Sequence, residues 1–106
     1  MYKLVIFVPE NSVEKLKDAV FATGAGSIGN YVECCWEGRG IGQFRPVEGS
    51  NPFIGSFDQL EKVPEVRLEV LCTKVNVRNA IDAMHAVHPY EKPAFEVIEL
   101  VDVESI

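Results

Sequence analysis

An antiparallel α+β sheet carrying both of its helices on one face is the fold class that this sequence predicts. Three observations lead there. Two amphipathic stretches with helical spacing, one over 13–23 and one over 77–87, each follow an apolar run of strand character. Four such runs are placed so that the order reads β-α-β-β-α-β. At 106 residues, the chain has the length for one modest core and no second one. This is the split β-α-β, ferredoxin-like arrangement. Right-handed crossovers then place the first and third strands in the middle of the sheet. Residues 1–101 form the single domain, and 102–106 a short, frayed tail.

The first strand is Tyr2 to Val8, with Tyr2, Leu4, Ile6 and Val8 on one face and Lys3, Val5 and Phe7 on the other. Both faces are mainly apolar, so it is expected to be covered on both sides. Pro9-Glu10 ends it. Asn11 with Glu14 resembles a capping box, and Ser12 is an equally good cap. The helix that follows has Val13, Leu16, Ala19, Val20 and Thr23 as its apolar stripe, and Gly24 stops it. Tyr31 to Glu37 reads as the second strand, Gly38 to Gly42 as a glycine turn, and Gln43 to Pro46 as a short returning edge piece. Glu48 to Gly55 is a loop with Phe53 and Ile54 at its tip. Val63 to Thr73 is the third strand. Asn76 is placed to cap a second helix striped by Val77, Ala80, Ile81, Met84 and Val87. Pro89 forces an end near His88, and Ala94 to Val101 is the fourth strand.

Two helices on one face leave the other face of the sheet open. Val5, Phe7, Leu71 and an aromatic from the fourth strand are expected there. An open apolar face is an interface, so a homo-oligomer is expected.

Charge narrows the partners. The net charge is −6, with ten Lys and Arg scattered among sixteen Asp and Glu. Nucleic acid and anionic membrane surfaces are therefore not expected partners. No apolar run approaches the roughly 20 residues of a membrane span. The opening residues read as a strand, not a secretory leader, which points to the cytoplasm. Cys34, Cys35 and Cys72 form no disulfide framework and fit a reducing compartment, as small buried hydrophobes on strands.

Two loops hold the residues with chemistry. Gly24-Ala25-Gly26-Ser27-Ile28-Gly29-Asn30-Tyr31 contains the letters of the dinucleotide fingerprint, but a helix precedes it and a strand follows, the reverse of what a pyrophosphate site requires. Its glycines could form an anion nest or simply cap a helix and enter a strand. His88-Pro89-Tyr90-Glu91-Lys92-Pro93 sets an imidazole, a phenol, a carboxylate and an ammonium between two prolines. His85, His88 and Glu91 are candidate ligands for a divalent metal if they converge. Otherwise a cation at a helix carboxyl end has an ordinary stabilising role. No catalytic set is evident: nothing local ties a cysteine to His88. Glu65 and Glu69 with Arg67 between them read as a charge ladder.

Four stretches carry a resemblance. They are Gly24 to Tyr31, Gly42-Gln43-Phe44-Arg45-Pro46, Glu48 to Gly55, and His88 to Val97. In that order and spacing they resemble the domain inserted in the larger bacterial Nif-three-like dinuclear-metal proteins, the YqfO type. The resemblance covers nearly the whole chain, which looks like that accessory domain standing alone. It implies a fold similar to the PII and CutA proteins, which assemble as trimers and use clefts between subunits. The metal ligands of that family lie in its flanking core, so none is carried over to this chain.

The expected role is a non-enzymatic, oligomeric ligand-binding or regulatory module. Gly24, Gly26, Gly29, Asn30 and Tyr31 on one side, and His88, Tyr90 and Glu91 on the other, are the candidates for contact with a small molecule or protein partner. The alternatives are a divalent-metal binder using His85, His88 and Glu91, and a domain that only oligomerises.

Overall fold

The computed structural model describes all 106 residues. Six elements follow the expected order: β1 (Tyr2–Pro9), α1 (Val13–Phe21), β2 (Trp36–Phe44), β3 (Glu61–Cys72), α2 (Val77–Val87) and β4 (Phe95–Glu99). Single 3-10 turns at Glu10–Ser12 and Val103–Ser105 flank them. The strands form one sheet in the order β2-β3-β1-β4, antiparallel at every pairing, with β1 and β3 central.

The register shows how the pattern becomes a core. Leu4 lies opposite Val70, Ile6 opposite Leu68 and Val8 opposite Val66. All six are buried in one cluster with Leu16 and Val20 of α1 and Ala80, Ile81 and Met84 of α2. Removing each such side chain from water contributes about 1.5–3 kcal/mol, which outweighs helix propensity in elements this short.

The second strand departs from expectation. Tyr31 to Cys35 is not strand, and the glycine segment is no turn: β2 runs unbroken from Trp36 to Phe44 against β3. Two causes are visible. Glu33 has φ +58°, which breaks the extended backbone before Trp36. Gly38 and Gly40 recur with strand period on one face, opposite Arg67 and Glu65. The missing side chains at that period leave one face of the strand bare, and the Trp36 ring covers the space where a Cβ on Gly38 would sit.

The helix starts also differ. Ser12 occupies the cap position of α1 without a side-chain cap, because a 3-10 turn already leads into the helix. Asn76 does not cap α2 either. Its Oδ1 accepts from the Thr73 N–H at 2.9 Å, and the Thr73 hydroxyl accepts from the Asn76 N–H at 3.2 Å, so the pair closes the turn leaving β3. The tail makes one 3-10 turn, in which Asp102 accepts from the Glu104 N–H at 3.0 Å.

The open face is more mixed than its apolar residues suggested. Phe95, the aromatic of β4, packs on the helix side against His85, with ring centroids 5.0 Å apart. On the open side Lys3 pairs with Glu69 at 3.2 Å and Arg67 with the same carboxylate at 3.1 Å. Those bonds, Lys3 first, hold the Glu69 carboxyl below its ordinary range. The Arg67 guanidinium lies 5.6 Å from the centre of the Phe7 ring. Val5 is fully buried beneath this layer, while Trp36 and Ile98 remain exposed.

Leu68→Ala, at the centre of the core, is expected to lower stability by about 2–5 kcal/mol in urea unfolding followed by circular dichroism.

Candidate functional site

The candidate site begins where α2 ends. Pro89 forces His88 into extended geometry, φ −66° and ψ 131°, and this swings the imidazole inward. His88 is buried. Its Nε2 lies 2.8 Å from the Phe7 carbonyl oxygen, and its Nδ1 accepts from the Tyr90 N–H at 3.1 Å. A carbonyl only accepts, so the proton sits on Nε2 and the ring is neutral. Burial, the larger cause, pushes the imidazole below its usual value, although the bond to Phe7 opposes it.

From this fixed point the loop builds outward. The Tyr90 hydroxyl donates to Glu65 Oε2 at 2.9 Å, and its ring meets Phe44 edge-on with centroids 5.7 Å apart. Burial and the neighbouring carboxylate raise the phenol far above its ordinary range, so Tyr90 stays protonated. Gly42 makes this possible: a side chain there would collide with the Glu65 carboxylate. Glu91 accepts from the Asn51 N–H at 3.0 Å, tying this loop to one forty residues earlier.

The two loops border an open pocket of about 340 Å³ on the sheet. Its apolar lining comes from Phe7, Phe44, Pro46, Pro52, Phe53 and Ile54. Its polar lining includes Glu65, Tyr90, Glu91 and Lys92. Tyr90 and Glu91 are therefore brought together at a cavity, with His88 behind them as a support.

The glycine stretch lies elsewhere. The Gly26 N–H donates to the Leu71 carbonyl at 2.8 Å, and Leu71 and Glu65 are six residues, hence about 20 Å, apart along β3. Gly24 and Gly26 have φ of +92° and +79°. A Cβ on Gly26 would stand 2.7 Å from the Cys34 carbonyl oxygen, so this glycine serves close packing. Gly29 and Asn30 form a two-residue hairpin tip between Ile28 and Tyr31, whose backbones exchange hydrogen bonds at 2.8 and 2.9 Å. Asn30 and Tyr31 are exposed there.

His85, His88 and Glu91 do not converge. His85 stacks edge-on with Phe95, both nitrogens of His88 are engaged, and Glu91 bonds Asn51. No group of three or more His, Cys, Asp and Glu is placed to hold a metal ion. Cys72 is buried as expected, whereas Cys34 is half-buried and Cys35 exposed in the irregular stretch before β2.

Glu65, Phe44 and Phe7 are site residues that the sequence alone did not single out. Glu65 was grouped with Glu69 by spacing, yet only Glu69 joins the charge ladder. The available signal was the bare glycine face of β2, which leaves Glu65 free to lean toward Tyr90.

Burial of a neutral His88 ring makes stability depend on pH. The unfolded chain takes up a proton near 6.5, the ordinary histidine value, before the folded chain does. Stability from the neutral imidazole is therefore complete above that pH and is lost as pH falls toward the lower folded value. Melting temperatures of the wild type and His88→Asn are expected to converge as pH drops from 7 toward 5, the wild type having the steeper slope. In a separate test, Gly26→Ala should cost about 1–3 kcal/mol by chemical denaturation, from the strained φ and the Cys34 carbonyl together.

No family model matches the chain. It is 41% identical over 102 residues to a Halalkalibacterium halodurans protein named GTP cyclohydrolase 1 type 2 homolog, matching 96% of this chain and 27% of that one. A Mycobacterium leprae protein of the same name is 46% identical over 99 residues, again over only 26% of its own length. The chain thus spans about a quarter of the length of the curated relatives it matches. Among solved structures, a Bacillus cereus protein related to NIF3 superposes with a TM-score of 0.81 at 40% identity, over 95% of this chain and 26% of that one. CutA from Xylella fastidiosa gives 0.68 at 19% identity over 98% and 88%, and the PII-like protein CutA from Nostoc gives 0.63 at 18% over 100% and 86%. At those lower identities the likeness shows the fold alone. The chain is thus related to the NIF3-type proteins through one domain, a quarter-length segment whose fold is that of CutA and the PII-like proteins.

Proposed function

We propose that the chain is a binding or regulatory module without catalytic machinery of its own, working as a homo-oligomer with the Tyr90 pocket as its ligand site. The observation that carries this reading is the convergence of three family-like stretches, Gly42 to Pro46, Glu48 to Gly55 and His88 to Val97, on one cavity. The last is remote in sequence from the other two and is joined to them by the Glu91 to Asn51 bond. Two of the candidate contacts, Tyr90 and Glu91, line that cavity.

Self-association is supported by shape and surface. Only 20 of 106 residues are buried in the single chain, and it extends 49 Å along its longest axis. Its radius of gyration, 15.1 Å, exceeds the about 13 Å of a compact domain of this length. Trp36, Ile98 and the Tyr31 tip stay exposed. A trimer is the assembly that the likeness to PII and CutA proteins implies. Gly24 to Tyr31 would then reach a ligand site only from a neighbouring copy. Three free thiols fit a reducing compartment such as the cytoplasm. No helix is long and apolar enough to cross a membrane. In this reading, any activity of the longer relatives lies in the three quarters of their length that this chain does not match.

Sedimentation velocity at micromolar concentration is expected to show an oligomer, and Trp36→Glu to shift it toward the monomer with the circular dichroism spectrum unchanged. A wild-type chain that sediments as a monomer at every concentration refutes the assembly.

A further inference from the structure

We propose that the Tyr90 pocket receives a planar nitrogen heterocycle, neutral or cationic, whose edge of N–H donors meets Glu65. This rests on the pocket being the ligand site, and it names the chemistry that site selects.

Size comes first. About 340 Å³ lies at the small end of ligand pockets and holds one or two fused rings. Shape and polarity come next. Phe7, Phe44, Phe53 and Tyr90 bring four aromatic rings to one cavity. Such rings take a flat π-system by stacked or edge contact, and their faces also attract cations.

Hydrogen bonding then fixes the edge. Glu65 Oε2 accepts a hydrogen bond from the Tyr90 hydroxyl, while Oε1 has no donor from the protein. An ionised carboxylate only accepts, and the Tyr90 hydroxyl is already committed as a donor to Oε2. The occupant must therefore donate. A purely apolar guest would strip water from Oε1 and return no bond. An acidic guest would meet Glu65, and the other two charged lining residues, Glu91 and Lys92, are opposite in sign, leaving Glu65 as the uncompensated charge. Gly42 completes the arrangement, since any side chain there would push the carboxylate off its place.

Three probes of similar size separate the possibilities: aminobenzimidazole, a planar cation with a donor edge; naphthalene, which has no donors; and a naphthalene carboxylate. Each is titrated at micromolar to millimolar concentration into the full chain, with amide NMR following residues 43–45, 50–54 and 90–92. Aminobenzimidazole is expected to shift these signals and to bind more tightly than the other two. Glu65→Gln is expected to weaken it by about tenfold or more, the usual effect of losing a charge-assisted bond. The wild-type ranking of the probes decides the matter even if that variant folds poorly. Equal or tighter binding of naphthalene or its carboxylate, or a folded Glu65→Gln that binds as the wild type does, overturns the ligand class while the pocket stands as a site. If no probe moves any of these signals at millimolar concentration, the pocket reading falls with it.

Discussion

The hydrogen bond from His88 to the Phe7 carbonyl is the contact on which the site depends. It joins the end of α2 to the end of β1, two elements far apart in the chain. Both ring nitrogens are satisfied in one tautomer, so a buried imidazole is held at little net cost. Losing either partner would leave a buried polar atom unpaired, worth about 1–3 kcal/mol. Because Nδ1 accepts from the Tyr90 backbone, the position of the phenol follows from the imidazole two residues before it. Tyr90 then reaches Glu65, and Glu91 reaches Asn51. A local steric rule, a proline after a helix, is thereby converted into the shape of a cavity.

The same chain of contacts explains the glycines of β2. Glycine in a strand weakens it, through backbone entropy and a missing side chain. Here the loss is offset by nine residues paired to β3 and by the Trp36 ring lying over Gly38. At Gly42 the bare face is the room that Glu65 occupies. The strand gives up some intrinsic stability so that a charged side chain can cross it.

The helices, the core and the central strands were legible in the sequence because their signals are local and repetitive. Leu4, Ile6 and Val8 alternate, and Ile81 and Met84 recur at helical spacing, whatever surrounds them. β2 was not legible. Three alternating glycines carry turn and strand meanings at once, and only the partner Glu65 on another strand distinguishes them. Helix caps failed for a related reason: Asn76 has a good cap residue's chemistry, but Thr73 offers its side chain a nearer bond. At the site, His88, Tyr90 and Glu91 stood out as chemically dense, yet their separate roles did not. Whether an imidazole is a ligand or a support is decided by Phe7, eighty-one residues earlier.

Those roles bear on what the loop can do. His88 uses its proton on a carbonyl and its lone pair on an amide, so proton exchange at either nitrogen breaks the turn that positions Tyr90. Tyr90 keeps its proton because the adjacent carboxylate and burial both oppose phenolate. Neither group is poised to move a proton in the way an acid-base catalyst must be. What they hold in place is a carboxylate with one open acceptor position beside a set of aromatic rings. Committed protons and a single open acceptor suit the proposed recognition role, since each of them fixes a shape.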